Sequence, residues 1–216
     1  MANHPQIRNL WILAVSTGMR HGEICALAWE DIDTTDWTIK VQRNLAISDH
    51  FTPPKTESGI RTIILTSAAI EAIKDQMQYT RMQKQHDVTV HLREYGKTRT
   101  DQCTFVFNPS VSGRYPTKSI CYIPGSIAAS WNHLLKRAGI RHRKAYESRH
   151  TFACWALSAG VNPSFIANQM GHTNAQMVFN VYAKWMSDKN GDQVAILNQN
   201  FGFNAPPMPQ GKVADM

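Results

Sequence analysis

With 216 residues, 43% of them hydrophobic, the chain is long enough to bury a core of its own and reads as one domain with tails. No stretch approaches the roughly 18 consecutive apolar residues that would span a bilayer. The four cysteines (Cys25, Cys103, Cys121, Cys154) are far apart, and the nine histidines lack ligand spacing, so neither a metal nor another cofactor is expected. The net charge of +7 leans toward a polyanionic partner without requiring one.

In chain order, residues 7–17 place Ile7, Leu10, Leu13 and Ala14 at helical spacing, with Gly18 as the stop. A second helix follows, with Ile24, Leu27 and Ala28 on one face. "WTIKVQ" alternates Trp37, Ile39 and Val41 inward as a strand does, and "IRTIIL" is the return strand. Residues 50–59 between them form a loop or hairpin tip carrying Lys55. Thr66 or Ser67 caps a helix with Ile70, Ile73, Met77 and Met82. Residues 84–103 are polar, lack clear periodicity and read as an exposed insertion. "TFVF" is a short buried strand, and residues 108–125 are loop.

Ser126 then caps a helix with Ile127, Trp131, Leu134, Leu135 and Ala138 in one stripe, ended by Gly139. Three short helices follow. One runs from about Tyr146 to Gly160, and one is capped by Asn162 with Pro163 in its first turn. The third starts at Asn174 and carries Met177, Val178, Val181 and Trp185. The composition after Met186 turns polar and reads as a disordered tail. The expected class is mainly α with a small antiparallel β-sheet, an α+β arrangement.

Taken singly, the chemistry-bearing residues have ordinary explanations. Arg20 and Glu23 at i,i+3 form a helix ion pair; alternatively, Arg20 faces a negative charge that the chain does not contain. Lys55 is a solvated turn lysine and Tyr182 a core aromatic beside Val181 and Trp185. His172 is a helix-end residue after Gly171. Lys136, Arg137, Arg141, Arg143 and Lys144 form a solvated basic face.

Their order along the chain is less ordinary. "TGMRHGE", "PPKTESGIR", "YESRHTFA", "MGH" and "NVYAKW", with Tyr182 ten residues after His172, follow one another in this sequence. The series resembles the catalytic domain of tyrosine recombinases, the phage-integrase family, over roughly residues 5–187. The resemblance implies the integrase catalytic-domain fold and a site-specific recombinase of a prophage or mobile element. Such an enzyme breaks and rejoins DNA through a 3′-phosphotyrosine, without metal or ATP.

Carried onto this chain, Arg20 and Arg149 would clamp the non-bridging oxygens of the scissile phosphate, and Glu23 would orient the arginine. Tyr182 would attack phosphorus, Lys55 would protonate the departing 5′ oxygen, and His172 would hydrogen-bond the phosphate. Fixed guanidinium forks suit the charge that develops on equatorial oxygens, and a general acid is worth ~10²–10⁴ in rate for a poor leaving group. Beside Arg149, the residues Arg137, Arg141, Arg143 and Lys144 then read as a phosphate track.

The resemblance further implies double-stranded DNA attachment or recombination sites as partner, a tetramer on paired sites, and accessory DNA-bending or excision proteins. It implies no membrane partner and a cytoplasmic, nucleoid-associated place in a bacterial host. The expected layout is a catalytic domain at 1–187 and a tail at 188–216 that is partly disordered or packs on a neighbouring protomer. Core-binding and arm-binding domains are expected to lie outside this sequence.

One residue departs from the family pattern. Tyr146 stands where the family carries histidine, three residues before Arg149. A phenol is a poor base near pH 7, so either Tyr146 only hydrogen-bonds phosphate or another group or water takes the nucleophile's proton. Two rival functions remain at this stage: a DNA-binding module that cleaves nothing, and a relaxing enzyme of the type IB topoisomerase kind.

Overall fold

The computed structural model describes residues 5–46, 50–112 and 119–179. Among these, helix α1 (Pro5–Thr17) buries Ile7, Leu10, Leu13 and Ala14, the stripe expected from their spacing. Helix α2 is short (His21–Cys25), and Leu27 and Ala28 are buried in the irregular chain after it rather than on its face. Strands β1 (Ile32–Asp33), β2 (Thr38–Val41), β3 (Asn44–Leu45), β4 (Phe51–Thr52) and β5 (Arg61–Ile64) lead into helix α3 (Ser67–Thr80). The Thr66 side chain caps α3 through the Ala69 N–H, as expected. That helix ends before Met82, which is fully solvated instead of extending the stripe.

The β structure is larger than the sequence indicates. One antiparallel sheet has the order β1-β2-β5, with Ile39 opposite Ile63. A second, mixed sheet takes in most of residues 84–103, which the sequence marks only as an exposed insertion without clear periodicity. They form a hairpin of β6 (His86–His91) and β7 (Thr98–Cys103), giving the order β3-β4-β6-β7 with β4 parallel to β6. Only Val88 and Val90 of β6 point inward, too short an alternation to stand out among polar neighbours. Phe105, Val106 and Phe107 are buried as expected, but the backbone there makes a single bridge, Ala28 to Phe105, rather than a strand.

Helix α4 (Pro124–Arg137) starts earlier than Ser126. Proline stands in its first turn, Ile123 is the N-cap, and Ser126 sits at N3 with its Oγ accepting the Ile123 N–H at 3.2 Å. Helices α5 (Glu147–Ser158) and α6 (Pro163–Met170) follow, the latter capped by Asn162 as expected. Of the last expected helix, residues 176–179 are helical; Val181, Tyr182 and Trp185 lie outside the described residues.

Two cores result. The larger gathers α1, α3 and both sheets around Leu10, Leu13, Ile39, Ile63, Ile73, Phe105 and Phe107. The smaller joins α5 and α6 through Ala153, Ile166, Ala167, Met170 and Val178. Helix α5 packs on α1, and α6 packs on β5. The segments bearing Arg20, Arg149 and His172 meet at this seam.

Candidate active site

The site begins at the turn between α1 and α2. Gly18 adopts φ +64°, and a Cβ there would lie 2.6 Å from the Phe152 ring. The turn therefore demands glycine for its backbone and for the close approach of α5. Arg20 is the extended N-cap of α2 and Glu23 is its N3 residue. The Glu23 carboxylate accepts the Arg20 backbone N–H at 2.8 Å and Arg20 Nη1 at 3.0 Å. Glu23 is buried, whereas the Arg20 side chain keeps 29% of its surface exposed.

Glu23 has a second cationic partner. Arg61, the first residue of β5, donates Nη1 to Glu23 Oε1 at 3.0 Å and Nη2 to Oε2 at 2.9 Å, a two-pronged pairing. Burial works to raise the Glu23 carboxyl. The hydrogen bonds and charge of Arg61, then those of Arg20, outweigh it and hold the group below the ordinary carboxylate range.

Arg149 comes from the first turn of α5 and is 1% exposed. It donates Nη1 to the Gly18 carbonyl and Nη2 to the Met170 carbonyl, the latter at 2.6 Å. The guanidinium thus ties the α1–α2 turn to the end of α6, with further N–H edges beyond these two bonds. Burial, then the neighbouring Arg20 charge, pushes it down to about 10.

Helix α6 ends at Gly171 in the left-handed conformation, φ +68°, and His172 follows directly. Arg20 Nη2 reaches the Gly171 carbonyl at 3.5 Å. The His172 Nδ1 is buried without a hydrogen-bond partner among the described residues. Burial first, then the charges of Arg149, Arg20, Arg61 and His150, pushes the imidazole down to about 4, so it is neutral at pH 7.

Of the residues singled out in the sequence, the structure brings Arg20, Glu23, Arg149 and His172 together. Tyr146 borders them: it is 47% exposed at the N-cap of α5, with ring centroids 6.3 Å from His21 and 5.6 Å from His150. Lys55 is exposed on the loop from β4 back to β5. Arg137, Arg141, Arg143 and Lys144 are exposed along the end of α4 and the segment leading to Tyr146. Tyr182 lies outside the described residues.

Sequence reasoning missed Arg61. The signal was present: Arg61 is in phase with the inward Ile63 on a strand, where an outward residue would be the ordinary place for an arginine. Arg20, Arg61 and Arg149 supply three positive charges around a single carboxylate. Such a half-buried centre suits an anion with several oxygens, because guanidinium forks match phosphate geometry. Among the described residues, no group of three or more His, Cys, Asp or Glu side chains is placed to hold a metal ion, and no helix is long and apolar enough to cross a membrane.

Known proteins share both sequence and fold with this chain. It is 53% identical over 208 residues to IntQ of Escherichia coli (strain K12), named there as a defective protein, covering 96% of this chain and 52% of IntQ. It is 50% identical over 194 residues to the prophage integrase IntR of the same strain, covering 89% of this chain and 46% of IntR. The chain thus spans about half the length of these curated relatives. Among solved structures, the Tn1549 transposon integrase in complex with transposon right end DNA superposes with a TM-score of 0.64 at 22% identity, covering 89% of this chain and 59% of that one. The XerA recombinase superposes at 0.57 with 17% identity, covering 93% and 63%. Both are alike in fold, with the α+β arrangement described above. Residues 2–188 match the phage integrase family, and the chain belongs to that family.

Proposed function

We propose that this chain carries the strand-cleaving centre of a site-specific DNA recombinase of the tyrosine type. The observation that carries the reading is the charge imbalance at the seam: three guanidinium groups surround one carboxylate beside a neutral, half-buried imidazole. A scissile phosphodiester supplies the missing negative charge. Arg20 and Arg149 take its non-bridging oxygens, and His172 adds a hydrogen bond. Their worth grows as charge builds on those oxygens in the transition state.

In this reading the Tyr182 hydroxyl gives its proton to water, and its oxygen attacks phosphorus and forms the phosphotyrosine bond. The bond to the 5′ oxygen breaks, and that oxygen takes a proton from Lys55. A 5′ hydroxyl from a second strand then reverses the step, so the energy of the phosphodiester is retained and no ATP is needed. Arg137, Arg141, Arg143 and Lys144 follow the DNA backbone toward the centre. The partner is double-stranded DNA, engaged as a tetramer on paired sites with accessory bending or excision proteins. Residues 1–187 form the catalytic unit.

The family match, the prophage integrase IntR and the DNA complex of the Tn1549 integrase support this reading. The test is incubation with a nicked attachment site that traps the cleaved state, followed by a denaturing gel. Wild-type protein is expected to give a covalent protein–DNA adduct. Tyr182→Phe is expected to give none while keeping its DNA affinity, because only the nucleophilic oxygen is lost. An adduct at wild-type yield in that variant removes Tyr182 from its role. DNA binding with no adduct in either protein identifies a binder that cleaves nothing.

A further inference from the structure

Arg61 touches three segments that the sequence keeps well apart. It opens β5, and its guanidinium grips the Glu23 carboxylate at the start of α2 with two donors, at 2.9 and 3.0 Å. Its Nε donates to the Gln169 carbonyl near the end of α6 at 2.7 Å, and Nη1 also donates to the Gly59 carbonyl, on the loop that carries Lys55, at 2.9 Å. The surrounding residues are shaped for it. A Cβ on Gly171 would lie 2.9 Å from Arg61 Nη1 and 3.0 Å from the Ser58 carbonyl, so the glycine before His172 admits this guanidinium as well as the left-handed backbone. The Gln169 Oε1 accepts the Ile64 N–H at 3.2 Å, fixing the same end of α6 to the same strand. The Arg61 side chain is 6% exposed.

We propose that Arg61 is a positioning residue that assembles the centre, setting Glu23 against Arg20 and the His172 turn against both, without itself meeting the phosphate. This rests on the phosphoryl-transfer reading above. Glu23 accepts four hydrogen bonds, two from Arg20 and two from Arg61, so its carboxylate has one permitted orientation. Release of the Arg61 pair frees the carboxylate to swing, and Arg20 and His172 lose their common support. Lysine does not substitute, because one ammonium has no planar fork to span Glu23, Gln169 and Gly59 together.

The test compares wild type, Arg61→Lys and Arg61→Gln by melting temperature, DNA affinity, single-turnover adduct formation on the nicked site, and NMR titration of His172, with the resonance assigned through His172→Gln. Arg61→Lys is expected to remain folded, bind DNA within about threefold of wild type and form adduct roughly ten- to a hundredfold more slowly, the cost of displacing reacting groups by about 1 Å. Arg61→Gln is expected to move the His172 midpoint upward from its depressed value, because one of the cations facing it is lost while Arg20, Arg149 and His150 remain. If Arg61→Gln does not fold, Arg61→Lys decides alone.

Adduct formation by Arg61→Lys within about threefold of wild type overturns the proposal. So does a fall in adduct rate matched by equal losses of DNA affinity and melting temperature. If wild type itself forms no adduct, the recombinase reading fails. The His172 titration then decides the placement of Arg61: a midpoint unmoved in Arg61→Gln overturns it, and a raised midpoint supports it.

Discussion

Among the described residues there are two buried arginine–carboxylate clusters, and they differ in arithmetic. In the first, Arg43 donates to Asp31 and, at 2.8 Å, to Asp101, and Arg99 pairs with Asp101 from the rim. Two guanidinium groups face two carboxylates. Asp31 also accepts the Ala28 N–H at 2.9 Å and Gln42 at 2.7 Å. This cluster joins the turn before β1 to strand β7 and so bolts one sheet to the other. In the second, Arg20, Arg61 and Arg149 face Glu23 alone. The first cluster balances its charges, although the Arg43 Nε has no hydrogen-bond partner among the described residues, whereas the second keeps an excess of positive charge at a partly open seam. Hydrogen bonding is dense in both. What separates a bolt from a site is the charge left over.

The largest effects test that division directly. Arg43→Ala leaves the buried Asp31 carboxylate without its cation, while Asp101 keeps Arg99, and is expected to lower stability by about 3–5 kcal/mol in urea unfolding. The fraction that stays folded is expected to cleave at the wild-type rate. Arg20→Ala is expected to do the reverse. Glu23 retains Arg61, so stability changes by about 1 kcal/mol or less, while single-turnover cleavage falls on the order of 10²–10³-fold, as when one donor to a developing oxyanion is removed. An unfolded Arg20→Ala with a slow but stable Arg43→Ala would abolish the distinction between the clusters.

A smaller effect belongs to the border of the second cluster. Tyr146 is half-solvated and edged by His21 and His150, so it is no core residue and its hydroxyl is free to reach a ligand. If that hydroxyl donates to phosphate, its loss costs about 1.5–3 kcal/mol. Tyr146→Phe is then expected to slow cleavage by roughly ten- to a hundredfold without lowering the melting temperature. Tyr146→His is expected to be tolerated, since an imidazole also donates and offers a base near neutral pH. Single-turnover rates measured beside melting temperatures check this, and a Phe variant as fast as wild type would take Tyr146 out of the site.

The sequence made some of this legible because local rules govern it. The α1 stripe, the Asn162 cap and the glycine stops at Gly18 and Gly139 follow from spacing and backbone need, and each stands in the structure as read. The β6–β7 hairpin was not legible, because a strand with only two buried valines among polar residues gives too short an alternation. Met82 was misplaced because a stripe gives no sign of where its helix stops. In the candidate site, motif order singled out Arg20, Glu23, Arg149 and His172, which the fold brings together. It gave no role to Arg61, whose partners lie 38 and 108 residues away and are set by tertiary packing alone. Of the two readings of Arg20, the structure shows the ion pair with Glu23, and the outward clamp stays part of the proposal. The ion pair with Glu23 is what aims an arginine that still has exposed surface.

The smallest predicted effect is a dependence of stability on pH carried by His172. His172 is held at about 4 against an ordinary 6.5, by burial first and then by the guanidinium charges. Between those values the unfolded chain takes up a proton that the folded chain refuses. Stability is therefore level above about pH 6.5 and declines as pH falls toward 4. For a half-exposed ring, discounted for solvent screening, the His172 share is about 1–2 kcal/mol. His21, lowered by burial, adds a share in the same direction, so the measurement is the difference between wild type and His172→Gln in urea unfolding across this window. His172→Gln is expected to flatten the decline by that amount. It should leave the loss at still lower pH, where protonation of Glu23 removes the stability that its depressed carboxyl contributes above the ordinary carboxylate range. An anion held by Arg20 and Arg149 offsets the charges that hold His172 neutral, so a bound phosphodiester is expected to raise its midpoint. A slope unchanged in His172→Gln, or a midpoint unmoved by DNA, would mean that the excess charge at the seam does not act on this imidazole.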